Sequence, residues 1–287
     1  QLLVDPLVGG IYASDTDDFS LEMVPQLHDL SHGRSVLLTA RRRMAATPKP
    51  SGPPAPVFET PLGGLGSLVD ATAAMVARLG GSIVTSTKVV SISRRSSQYD
   101  LVLRGPSGEG TVEADAVIVA APGAQSRDML GPLDPEVSEM FGAIERASVV
   151  MVTLKTAEAP PASLDGMSGY LVPKPDQQRV TAASFGSNKW AHWKPADGTM
   201  IMRVSMGRDG APTHDLIHEW TDEQLVTRVV DEVSAHTGFR FTPEVSRVTR
   251  WEGAFPQYRP GIGIPACVGQ GHTAAATTLA RLVDLRN

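Results

Sequence analysis

The chain has 287 residues, 41% hydrophobic and 20% charged, enough to bury one large or two modest cores. A formal net charge of -5 and a pI near 5.8 exclude a dominant nucleic-acid surface, and the longest basic run, Arg41-Arg42-Arg43, is too short to reverse that. The single cysteine, Cys267, excludes an intrachain disulfide and a cysteine-rich metal site and favours a reducing compartment, with the cytoplasm as the expectation, while no apolar run reaches the ~18 residues a spanning helix requires.

In chain order, residues 1–45 read as helical with a break at Gly33, and residues 46–57, with five prolines, can hold neither a helix nor a central strand. A helix follows whose apolar positions Leu68, Val69, Met75, Val76 and Leu79 share one face and which ends at Gly80-Gly81. Residues 83–92, 99–103 and 116–122 read as strands, the last as a short buried one. Asp134 can cap a helix over 133–146 with Pro135 at its tolerated first position. Strands are expected at 149–154, 169–172, 180–184 and 200–206, a mostly antiparallel sheet. Thr221 and Gln224 form a capping box for a helix that runs to Gly238 and buries Leu225, Val226, Val229, Val230 and Val233. A strand over 245–251 and a helix over 272–285 complete the chain. The order of elements suits α/β and α+β architecture. The expected partition is 1–57 as helical block and linker, 58–130 and 249–287 as portions of one α/β domain, and 131–248 as a sheet domain covered by helices.

Several short patterns have plain structural readings. Gly261-x-Gly263-x-x-Ala266 matches a dinucleotide fingerprint formally, but too few residues follow it for a βαβ unit, so on spacing alone it reads as a glycine-rich turn before a helix. The loop Gly63-Gly64-Leu65-Gly66 could cradle a phosphate, yet lacks the Lys-Ser/Thr ending of a P-loop. His28 with His32, and His214 with His218, have the spacing that puts two ligands on one helical face, but neither pair has a clear third ligand and both read as solvated surface. Cys267 reads as a small buried hydrophobe, because no histidine pairs with it.

Longer segments carry a resemblance. Arg250-Trp251-Glu252-Gly253-Ala254-Phe255-Pro256-Gln257-Tyr258 and Gly261-Ile262-Gly263-Ile264-Pro265-Ala266-Cys267 resemble two motifs of the FAD-dependent protoporphyrinogen and coproporphyrinogen III oxidases of haem biosynthesis. So do the opening Asp5-Pro6-Leu7-Val8-Gly9-Gly10-Ile11-Tyr12-Ala13, the 58–68 loop, and three segments in series: Gly169-Tyr170-Leu171-Val172-Pro173, Ser184-Phe185-Gly186-Ser187-Asn188-Lys189-Trp190-Ala191-His192 and Met202-Arg203-Val204-Ser205-Met206-Gly207-Arg208. The family's N-terminal GxGxxG unit and the segment that separates Gly261 from the GIGIP motif have no counterpart here, so the resemblance is to the C-terminal part of a two-domain flavoprotein, internally shortened. It implies FAD as cofactor, touched by Val89, Trp251, Ile262, Gly263 and Ile264. It implies a flat tetrapyrrole pocket lined by Gly169, Leu171, Ser205 and Met206, with Arg179, Lys189, Arg203 and Arg208 as candidate anchors for substrate propionates. The reaction it implies is oxidation of coproporphyrinogen III, or of protoporphyrinogen IX, by hydride transfer to the flavin, with dioxygen as acceptor. The expected partners are the porphyrinogen and dioxygen, with no nucleic acid and no transmembrane segment, and with peripheral contact with a membrane left open. A chain lacking the pyrophosphate-binding half is expected to hold FAD weakly, and a non-catalytic remnant is the contrasting reading.

Overall fold

The computed structural model describes residues 4–19, 28, 33, 35–46, 59–257 and 275–280. The expectations for 20–27, His32, most of the proline-rich stretch, Tyr258, Gly261–Cys267 and most of the terminal helix therefore lie outside the described residues. The chain divides into two compact units, each built from two separate stretches: Gln1–Pro25 with Ile144–Gly261, and Gln26–Ala143 with Ile262–Asn287. Residues 4–19 fall in the unit that holds 144–257, and 249–256 are part of a sheet strand in that unit.

The first helix, α1 (Val4–Tyr12), belongs to the first unit. In the second unit, α2 (Val36–Ala46) and α3 (Leu65–Arg78) precede an antiparallel meander of β1 (Lys88–Arg95), β2 (Gln98–Gly105) and β3 (Gly108–Ala114), followed by α4 (Gly123–Leu130) and α5 (Pro135–Gly142). Asp134 caps α5 as expected, accepting from the backbone N–H groups of Glu136 and Val137, with Pro135 in the first turn. β1 starts only at Lys88, and residues 116–120 join no ladder among the described residues. β3 escaped the sequence reading, since Gly108, Glu109 and Gly110 have weak strand preference and it is the pairing with β2 that holds them extended.

The first unit continues with β4 (Arg146–Thr156), β5 (Gly169–Leu171), β6 (Val180–Phe185), the single-turn α6 (Gly186–Lys189), β7 (Ile201–Met206), the short α7 (His214–His218), α8 (Asp222–Thr237) and the long β8 (Pro243–Pro256). The five strands form one antiparallel sheet in the order β5-β6-β7-β4-β8. Alternation divides its residues between two faces. On one face Val150, Val152, Leu154, Phe185, Met202, Val204 and Met206 are fully buried against Leu225, Val229 and Val233 of α8, which makes this layer the core. The capping box is present: the Thr221 hydroxyl accepts from Gln224 N–H while the Gln224 side chain accepts from Thr221 N–H, and Gly238 ends the helix in a left-handed conformation (φ 71°). Among the described residues, no helix is long and apolar enough to cross a membrane.

Candidate functional site

The opposite face of this sheet carries a groove of about 480 Å³, within the size range of small-molecule sites. Its floor follows from strand register. One row runs Gly169, Ser184, Arg203, Thr153, and the next runs Leu171, Ala182, Ser205, Met151. Gly169, Leu171, Arg203 and Ser205 thus come together where the sequence segments suggested, and Lys189 of α6 joins them. Met151, Ser184, Gly10 and Ile11 are among the further lining residues that had not been singled out. Alternation along β4 could have found Met151; nothing local in the sequence brings α1 to the groove. Gly169 sits at φ 138°, and a Cβ there would run into the Ala183 carbonyl oxygen, so this wall position accepts only glycine.

α1 reaches the groove through a buried ion pair. Asp5 and Arg208, each 2% exposed, form a two-pronged contact of 3.0 and 2.8 Å, and Arg208 also donates to the Ser14 carbonyl at 2.9 Å. Thr16 and the backbone N–H of Lys174 donate to the same carboxylate. The Arg208 hydrogen bonds, outweighing burial, hold the Asp5 carboxyl down at about 2. With α1 fixed in this way, Gly10 packs so closely on Leu171 that a side chain at Gly10 would displace the leucine.

Two expected anchors are therefore corrected. Arg208 is no ligand for a substrate carboxylate, since Asp5 already neutralises it in the interior. Arg179 pairs with Asp215 at 2.6 Å and lies over the Trp220 ring, away from the groove lining. Met206 is also corrected: it follows Ser205, so the strand turns it to the other face, where it is fully buried in the core. Lys189 and Arg203 remain, exposed at the groove and without a carboxylate partner among the described residues.

Of the positions that the resemblance assigns to the flavin, Trp251 lies on β8 opposite Val149, on the same face as Met151, and is 48% exposed, an aromatic surface open to a flat ring. Val89, in the other unit, pairs with Leu103 next to an irregularity in the β1–β2 ladder. Ile262, Gly263 and Ile264 lie outside the described residues. His214 and His218 on α7 stand beside Glu219 and Glu252, respectively, and among the described residues no cluster of metal-ligand geometry forms around them.

The family model described as flavin containing amine oxidoreductase matches residues 1–272. Among curated proteins, the chain is 26% identical to the coproporphyrinogen III oxidase of Bacillus subtilis (strain 168), over 98% of this chain and 64% of that protein. It is 25% identical to the enzyme of the same name from Staphylococcus aureus (98% and 66%) and 26% identical to the chloroplastic protoporphyrinogen oxidase of Oryza sativa subsp. japonica (91% and 51%). The chain thus spans about two thirds or less of the length of these relatives. Among solved structures, a provisionally named protoporphyrinogen oxidase from Exiguobacterium sp. 255-15 superposes with a TM-score of 0.74 at 23% identity, covering 99% of this chain and 63% of that one, a likeness of fold. The family model's match over nearly the whole length makes this chain a member of the flavin containing amine oxidoreductase family.

Proposed function

We propose that the chain is the greater part of an FAD-dependent oxidase that converts coproporphyrinogen III to coproporphyrin III with dioxygen as acceptor. The observation that carries this reading is the groove itself: Ile11, Leu171 and Met151 give it apolar walls, while Lys189 and Arg203 stand at it with uncommitted charge. A macrocycle with carboxylates on its rim asks for that combination, and carboxylates pair most strongly with such charged donors. FAD, when bound, supplies the hydride-accepting ring. The chain's own contribution is orientation: Trp251, half exposed on β8, would offer the flavin an aromatic surface, and the β5–β6–β7 floor would hold the substrate. No side chain is assigned as acid or base. Protoporphyrinogen IX is the second reading, favoured by the similarity to the rice enzyme.

The test is a titration of the purified chain with coproporphyrin III and with protoporphyrin IX, followed by porphyrin fluorescence. Coproporphyrin should bind more tightly, and Arg203→Gln should weaken it by about tenfold, the loss of one good charge-assisted contact. Equal affinity for the two porphyrins, or an Arg203→Gln variant that binds like the parent, would remove the case for coproporphyrinogen.

A further inference from the structure

The register of the sheet extends the cationic row beyond the groove lining. Arg203 pairs with Thr153 on β4, and Thr153 pairs with Arg247 on β8. Gly169, Ser184, Arg203, Thr153 and Arg247 therefore form one continuous row across all five strands, on the face opposite the core. Strands lie about 4.8 Å apart, which puts the Arg203 and Arg247 backbones roughly 10 Å from each other with the short, neutral Thr153 between them.

Charge sets these positions apart. Four other cations on or beside the sheet are committed to carboxylates: Arg250 to Asp222, Lys155 to Asp197 and Glu244, Arg179 to Asp215, and Arg208 to Asp5. Arg203 and Arg247 have no such partner among the described residues, and both are exposed. Two unneutralised guanidinium groups in one row, flanking a neutral position, repel each other and gain most when two separate anions come between them and solvent.

We propose that Arg247 is a second carboxylate anchor, which takes a rim carboxylate remote from the one held by Lys189 and Arg203 and so selects flat ligands carrying acids at two well-separated places. This rests on the reading that the groove holds a porphyrin-type macrocycle. Coproporphyrin III, with four propionates distributed around its rim, can meet both anchors at once; protoporphyrin IX, with two propionates side by side, can meet one.

The experiment is the same fluorescence titration on the full 287-residue chain, with Arg247→Gln and Arg247→Lys beside Arg203→Gln. Arg247→Gln should weaken coproporphyrin III by about tenfold and protoporphyrin IX by less than about twofold, and Arg247→Lys should recover part of the loss because the charge remains. An exposed edge position leaves the melting temperature unchanged, which keeps folding out of the comparison. If Arg203→Gln weakens coproporphyrin while Arg247→Gln does not, Arg247 is no anchor and the reading of the groove stands. If Arg247→Gln weakens both porphyrins alike, the two-anchor selection is wrong. If the parent chain binds neither porphyrin, the reading of the groove falls, and the anchor with it.

Discussion

Arg208 and Arg203 lie five positions apart, and their surroundings give them opposite duties. Arg208 is sealed against Asp5, whereas Arg203 keeps its charge free at the groove. Asp5 titrates at about 2 in the folded chain, below the ordinary carboxylate value of 3.8, so its pairing contributes fully above about pH 4 and is lost as pH falls towards 2. The shift corresponds to roughly 2 kcal/mol. An Asp5→Asn variant should therefore be less stable than the parent at pH 7, and the difference should shrink on acidification from pH 4 to pH 2; urea unfolding at several pH values measures it, and a gap that stays constant would show that the pair carries no net stabilisation. The sequence alone could not separate the two arginines, because each follows an apolar strand pattern and neither pattern reveals a partner that lies 203 residues away. Met206 was misplaced for a simpler reason: a segment matched as a block hides that adjacent strand residues face opposite ways.

At the scale of elements, legibility followed how local the determinants are. The cap of α5 at Asp134 and the capping box of α8 are short-range and were readable as written. Removing the Thr221 hydroxyl should cost about 1 kcal/mol, typical of such caps, and thermal melting of Thr221→Ala against the parent would show it; an unchanged melting temperature would mean that the packing of Leu225, Val229 and Val233 holds the helix without its cap. Strands were less readable, because pairing decides them. Residues 116–120 are apolar and rich in β-branched side chains yet join no ladder among the described residues, while glycine-bearing β3 is a strand because β2 lies beside it. The apolar stripe of α3 is in the expected place, but Leu68, Val69 and Met75 are more than half exposed, so periodicity predicted the face and not what covers it. The floor of the groove was legible as three ordered segments; its α1 wall was not, since a single helix at the start of the chain gives no sign of where it docks.

Across the whole molecule, a net charge of -5 opposes an anionic ligand at long range, while the groove attracts it at contact. Contact should win: two unit charges 4 Å apart gain about 1 kcal/mol even at the dielectric of water, and at 0.1 M salt the field beyond about 10 Å is already screened. Raising salt from about 0.1 to about 1 M should therefore weaken coproporphyrin binding and affect protoporphyrin less, and a dissociation constant indifferent to salt would argue that the cations of the groove are not in contact with the ligand. The closure between Asp5 and Arg208 also bears on how the molecule is made. α1 is translated some two hundred residues before the arginine that fixes it, so in the interval between the two Val8 and its neighbours have no interior to enter. The nascent chain cannot assemble the site before β7 emerges, and a chaperone that shields the first helix during that interval would act on the step at which the binding groove is won or lost.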